Sequence, residues 1–160
     1  MKMVYREFPP TEWQAFSRLQ SATSELDQKC LSILTGLQES FVSTSILEAG
    51  SCTIELNNDA AMPANFLSPL GVGRFVRTYA RSRGDLWATL VLQRKAFDEY
   101  NRERWTPVWS LQVPRYDSPF IGTEDIGLRF ELTGIFNRRS NELFSMAMSL
   151  LDAMVDHPRV

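Results

Sequence analysis

Apolar residues recur every three or four positions in the first quarter of the chain: Trp13, Phe16, Leu19, Ala22, Leu26, Cys30, Ile33, Leu34 and Leu37. That spacing gathers them on one stripe of a helix. Arg18, Gln20, Glu25, Asp27, Gln28, Lys29 and Glu39 fill the remaining surface. Thr11 followed by Gln14 has the form of a capping box at the start, and no proline interrupts residues 11–40. Gly36 is the weakest point, where the helix is expected to bend or end. A helix of about 28 residues is about 42 Å long, against an expected radius of gyration of about 15 Å. It therefore either lies across the whole domain, with its stripe in the core, or projects and needs a partner such as a second copy of the chain.

The period then changes to two. Cys52, Ile54 and Leu56 alternate with Thr53 and Glu55 and predict a half-buried strand. Residues 57–73 hold three asparagines, two prolines and two glycines and read as a long loop, with room for a short helix near Ala60–Phe66. Strands are expected from Arg74 to Ser82, Leu86 to Phe97 and Trp105 to Val113. Arg83-Gly84-Asp85 makes the first turn. The segment 86–104 is also rich in helix formers. It is assigned as strand because Val108–Val113 alternates well and needs a pairing partner. A second loop covers Pro114–Gly127. Leu128 to Phe136 reads as a further strand, with Leu128, Phe130 and Leu132 opposite Arg129, Glu131 and Thr133. Ser140 has the form of an N-cap for a last helix over 141–155, with Leu143, Phe144, Ala147, Met148, Leu151, Met154 and Val155 as its apolar stripe. The order of elements implies a single α+β domain over 1–160: a long N-terminal amphipathic helix, an antiparallel sheet of about four to five strands, and a C-terminal helix packed on one sheet face. The opposite face is then open to solvent or to a ligand.

Composition supports a folded chain that needs no disulfide staples: 160 residues, 44% hydrophobic and 22% charged. Its size is enough to bury roughly 70% of the unfolded surface. No run of residues approaches the roughly 20 apolar positions of a spanning helix, so no membrane is expected as a partner. The N-terminus lacks the pattern of a secretory signal, which points to a cytoplasmic, reducing setting with Cys30 and Cys52 as free thiols. The one histidine, His157, lies three residues from the C-terminus, a poor place for a catalytic base. Cys30, Cys52 and His157 are too few for a structural zinc cage. Gly71-Val72-Gly73 lacks the third glycine of a dinucleotide fingerprint. The sequence contains no motif for a metal or cofactor, and it points to a binding protein rather than an enzyme.

Charge changes the picture in one place. The net charge is −2, yet residues 66–104 hold eight basic and four acidic side chains, while both flanking stretches are acidic. Within that basic stretch, strand alternation puts Phe75, Arg77, Tyr79, Arg81 and Arg83 on one face. Rings that stack on bases, interleaved with guanidinium groups that take phosphates, are how single-stranded nucleic acid is held. Arg74, Arg94, Lys95, Arg102, Arg104, Trp87 and Tyr100 would extend the surface. Trp105 and Trp109, four apart, are expected on one strand face, as core or as an aromatic pocket. The sequence thus nominates Arg74, Phe75, Arg77, Tyr79, Arg81, Arg83, Arg94 and Lys95 as a nucleic-acid-binding set. The competing expectation is a protein-interaction module (an adaptor, a chaperone or a toxin-neutralising protein) that uses the long helix and forms a homo-oligomer. Glu124-Asp125, with Glu131 nearby in sequence, is an acidic loop pair of a kind that can do acid–base work or hold a cation, but adjacent loop carboxylates are usually just solvated. Arg138-Arg139 precede the last helix, where they oppose its dipole and are free to join an anion site.

Overall fold

The computed structural model describes residues 10–43, 52–82, 85–121, 128–129 and 136–155. Helix α1 (Pro10–Ser43) is followed by seven strands: β1 (Thr53–Leu56), β2 (Ala64–Ser68), β3 (Gly71–Ser82), β4 (Asp85–Phe97), β5 (Glu103–Pro114), β6 (Phe120–Ile121) and β7 (Leu128–Arg129). Helix α2 (Phe136–Met154) closes the order. The strands form one antiparallel sheet in the order β1-β2-β3-β4-β5-β6-β7, so every strand pairs with its neighbour in sequence. Both helices pack on the same face. The architecture is α+β, as the sequence implies.

The core lies between the helices and that face. From α1 it takes Leu26, Cys30, Ile33, Leu34, Leu37 and Phe41; from the sheet Ile54, Phe66, Phe75, Leu90, Leu92, Trp109, Leu111 and Val113; and from α2 Leu143, Met146, Ala147, Leu150 and Met154. Aromatic rings run through it in edge and tilted contacts: Phe41 to Phe66 at 5.4 Å, Phe66 to Phe75 at 6.5 Å, and Phe75 to Trp109 at 6.2 Å between centroids. The stripe of α1 from Ala22 to Phe41 is therefore core, which settles the helix as one lying across the sheet over that span. The side chains of Trp13 and Phe16, at the start of the stripe, lie outside the described residues.

Gly36 does not end α1, which runs on to Ser43. A side-chain carbon placed there would sit 3.0 Å from Leu143 Cδ1, so the glycine is what allows the two helices to approach so closely. The loop expected over 57–73 contains β2 and the start of β3, and no helix. Ala64 and Phe66 point into the core, but the Ala-Asn-Phe-Leu-Ser string has weak strand propensity and is framed by prolines, which conceals it. Gly71 has φ 137°, a conformation that favours glycine, where the chain turns from β2 into β3. The second loop likewise contains β6. These short strands raise the count from the expected four or five to seven. Residues 86–97 are strand, as argued from the needs of β5, and β4 pairs along its length with both β3 and β5. At the C-terminal end, helix α2 begins at Phe136, so Ser140 is inside it and is not its cap. Residues 130–135, the rest of the expected last strand, lie outside the described residues, as do Arg83, Glu124-Asp125, His157 and the side chains of Arg138 and Arg139.

Phe75 is 0% exposed. Replacing it with alanine is expected to cost about 3–5 kcal/mol, the range for a fully buried aromatic. Urea unfolding measures this directly, and a Phe75→Ala protein of unchanged stability would contradict this packing.

Candidate functional site

Alternation along β3 holds, but the face that carries Phe75, Arg77, Tyr79 and Arg81 is the one the helices cover. Phe75 is in the core. Tyr79 donates its hydroxyl hydrogen to the Asp27 carboxylate of α1. The Nε of Arg77 lies 3.1 Å from the same carboxylate and donates to the Ala60 carbonyl at 3.0 Å, and its guanidinium rests 4.0 Å above the Tyr79 ring. The Arg77 side chain is only 13% exposed. Arg94 also belongs to the covered side, opposite Gly73. Arg81 shares the register of this face yet is exposed. The nominated set is thus divided: Phe75, Arg77 and Tyr79 bind α1 to the sheet and are not available to stack on bases or take phosphates.

The cause is the helix that covers β3. An arginine and a tyrosine sit under a helix only when that helix supplies acceptors. Asp27, next to the apolar stripe of α1, is that supply. It is also the signal a reader of the sequence could have used, since an acidic residue beside Leu26 and Cys30 calls for a basic group opposite. Two further links fasten α1 to the far side of the sheet. Lys29 Nζ donates to the carbonyls of Pro114 and Asp117, each at 2.6 Å. Arg115 makes a two-pronged contact with Glu25 at 2.8 and 3.2 Å, and this hydrogen bond holds the Glu25 carboxyl below its usual range.

The open face begins one residue away, at Arg74. The Nε of Arg74 donates to Gln93 Oε1 at 2.8 Å, and its guanidinium lies 4.1 Å above the Trp105 ring. Trp105 donates from Nε1 to Glu103 at 2.9 Å, and Lys95 lies 3.9 Å from the same carboxylate. Lys95 also sits 5.7 Å above the ring of Phe97, which is 61% exposed. Trp105 and Trp109 do not share a face. Leu92 pairs with Trp109 and Gln93 with Pro107, so Val108 is an extra residue in β5. Pro107 has no N–H to give to the ladder, and prolines inside sheets mark such bulges. Beyond the bulge the alternation is inverted: Trp109 enters the core and donates to Ser149 of α2 at 3.0 Å, while Trp105 turns to the open side. Trp87 is also on the open side, edge-on to Phe120 at 5.7 Å.

The turn between β4 and β5 completes the surface. Asp98 organises it. Its Oδ1 accepts the N–H groups of Tyr100 and Arg102 at 2.9 Å each, and its Oδ2 accepts Nε of Arg102 at 3.1 Å and of Arg104 at 3.3 Å. Asn101 takes φ 59°, which asparagine tolerates better than most residues. These bonds, the backbone one from Arg102 first, lower the Asp98 carboxyl below its ordinary range, so it is a carboxylate at neutral pH. Tyr100 is 70% exposed and lies 5.0 Å beneath the Arg102 guanidinium. Three rings, each with a cation over its face, therefore line one end of the sheet: Trp105, Phe97 and Tyr100.

Other features are less apt. A cleft of about 350 Å³ separates α1 from the β1–β2 loop, but its Asp27 is engaged by Arg77 and Tyr79, and its Asp59 by the N–H of Ala61. A groove of about 510 Å³ runs between α1 and the edge strand β1, past Val42, Cys52 and Ile54. Among the described residues, no three His, Cys, Asp or Glu side chains are placed to hold a metal ion. No described helix is long and apolar enough to cross a membrane.

Both described thiols are buried and free. Burial pushes Cys30 from 9.0 up to about 12, and it raises Tyr79 as well, helped by the hydrogen bond to Asp27. Groups raised in the folded state stabilise it below their unfolded pKa and lose that contribution as pH climbs to the folded value. Stability is therefore expected to fall from about pH 9 to about pH 12, by about 1.4 kcal/mol per pH unit for each group that ionises only when unfolded. Cys30→Ala should flatten the onset near pH 9 in urea titrations, and an unchanged profile would contradict the burial of this thiol. No family model, no curated protein and no solved structure matches the chain.

Proposed function

We propose that the chain is a binding protein whose open sheet face, at the end formed by β4 and β5, takes single-stranded nucleic acid with little sequence preference. The observation that carries this reading is the row of cation–ring pairs there: Arg74 on Trp105, Lys95 on Phe97 and Arg102 on Tyr100. Exposed rings offer stacking to any base, and the guanidinium and ammonium groups beside them meet the phosphates. With Arg94 on the covered side, the charges near this end are Arg74, Lys95, Arg102 and Arg104 against Asp98, Glu99 and Glu103, a small positive excess. Glu103 is held by Trp105 and Lys95, and Asp98 is taken up by the turn. The site keeps Arg74 and Lys95 from the nominated residues and replaces Phe75, Arg77 and Tyr79 with Phe97, Tyr100 and Trp105. The protein-module reading loses its main support, because the α1 stripe from Ala22 to Phe41 is packed on the sheet.

Fluorescence anisotropy with an internally labelled single strand, over a range of salt, tests the proposal. Phe97→Ala and Tyr100→Ala should each weaken binding at every salt concentration by about 1–3 kcal/mol, the value of one base stacked on a ring. Arg74→Ala should lower the slope of log K against log salt by about 0.7, the change for one phosphate contact. Absence of binding at low salt, or equal losses from the exposed Thr78→Ala control, would overturn it.

A further inference from the structure

The β4–β5 turn holds an arrangement that a sheet-face platform does not require. Arg102 and Arg104 both place Nε on one oxygen, Oδ2 of Asp98. One carboxylate thus fixes two guanidinium groups side by side at the tip of a hairpin. The contact engages Nε of each, and the two side chains remain 61% and 60% exposed. Asp98 does not cancel the pair: it is one negative charge against two positive ones, and its other oxygen already accepts the N–H groups of Tyr100 and Arg102. Arginine pairs phosphate oxygens with two parallel N–H donors, and two such forks fixed together can grip one phosphate from two directions.

An internal phosphodiester brings one negative charge and two free oxygens. A phosphate monoester brings about −1.5 to −2 at pH 7 and three acceptor oxygens. The paired forks match the second better. Tyr100 beside them, under Arg102, supplies a ring for the base next to such a phosphate. We infer that the tip formed by Arg102, Arg104 and Tyr100 is a subsite for the terminal phosphate of a single strand, with Asp98 as the positioning residue. This inference rests on the nucleic-acid reading above and adds to it a preference for strand ends.

The test uses one oligonucleotide sequence in three forms: with a 5′-phosphate, with a 3′-phosphate, and with hydroxyls at both ends. Each is titrated by anisotropy against the full chain and against Arg102→Lys/Arg104→Lys, which keeps both charges but removes the forks. One phosphorylated form is expected to bind about tenfold more tightly than the hydroxyl form, a difference in reach of one added charge-assisted contact. The double variant should lose that preference, binding all three forms within about twofold of one another. Which end carries the preference identifies the polarity of the bound strand. Equal binding of all three forms by the wild-type chain, or a preference that survives in the double variant, overturns the subsite and leaves the sheet-face reading standing. Binding of a phosphorylated form with none of the hydroxyl form overturns the sheet-face reading and keeps the tip. No binding of any form overturns both.

Discussion

A seven-strand meander makes its hydrogen bonds between neighbours in sequence, but it has no core until something covers one of its faces. The cover here is α1, seated by Leu26, Ile33, Leu34, Leu37 and Phe41 and joined by α2 where Gly36 meets Leu143. That apolar contact determines the fate of every strand residue, since strand side chains alternate between covered and open. The polar links are subordinate to it. Asp27 lets Arg77 and Tyr79 lie beneath the helix, and Lys29 and Glu25 tie the other flank to Pro114, Asp117 and Arg115. A helix seated without Asp27 would leave Arg77 nearly buried and without its charge partner, a costly arrangement.

The binding surface is then what the cover leaves exposed, reshaped by one irregularity. The bulge at Val108 sends Trp109 inward, where it caps the chain of core rings, and Trp105 outward, where Arg74 covers it. An unbroken β5 would have placed both tryptophans on one side. The hairpin beyond the bulge is rigid for its own local reasons: Asp98 gathers four donors and Asn101 accepts a positive φ. Core, bulge and turn therefore act in sequence to bring Trp105, Phe97 and Tyr100, with their cations, to the same end of the sheet.

Much of the fold was legible because it is periodic. The steps of three and four in α1 and the alternation in β3, β4 and the part of β5 after its bulge are properties of the chain itself, and the structure follows them. Strand β2 was hidden by its weak strand propensity and β6 by its length of two residues; their pairing with β3 and β5 holds them extended. The start of α2 at Phe136 was hidden by Ser140, a residue that looks like a cap but lies within the helix.

The candidate site was legible only in part, and the reason is geometric. Period two divides a strand into two faces without saying which is buried, and an error there moves every side chain to the wrong side. Three arginines made the Phe75 face look open, while its burial depends on the apolar stripe of α1, more than thirty residues earlier in the chain, with Asp27 there to accommodate Arg77 and Tyr79. The sequence by itself determined the helices, the long strands, the α+β class and the basic stretch at 66–104, because these follow from local spacing and charge. The tertiary structure alone decided that Phe75, Arg77 and Tyr79 belong to the core side and that Arg74, Phe97, Tyr100 and Trp105 are presented together, because covering, bulging and pairing are relations between residues far apart in the chain.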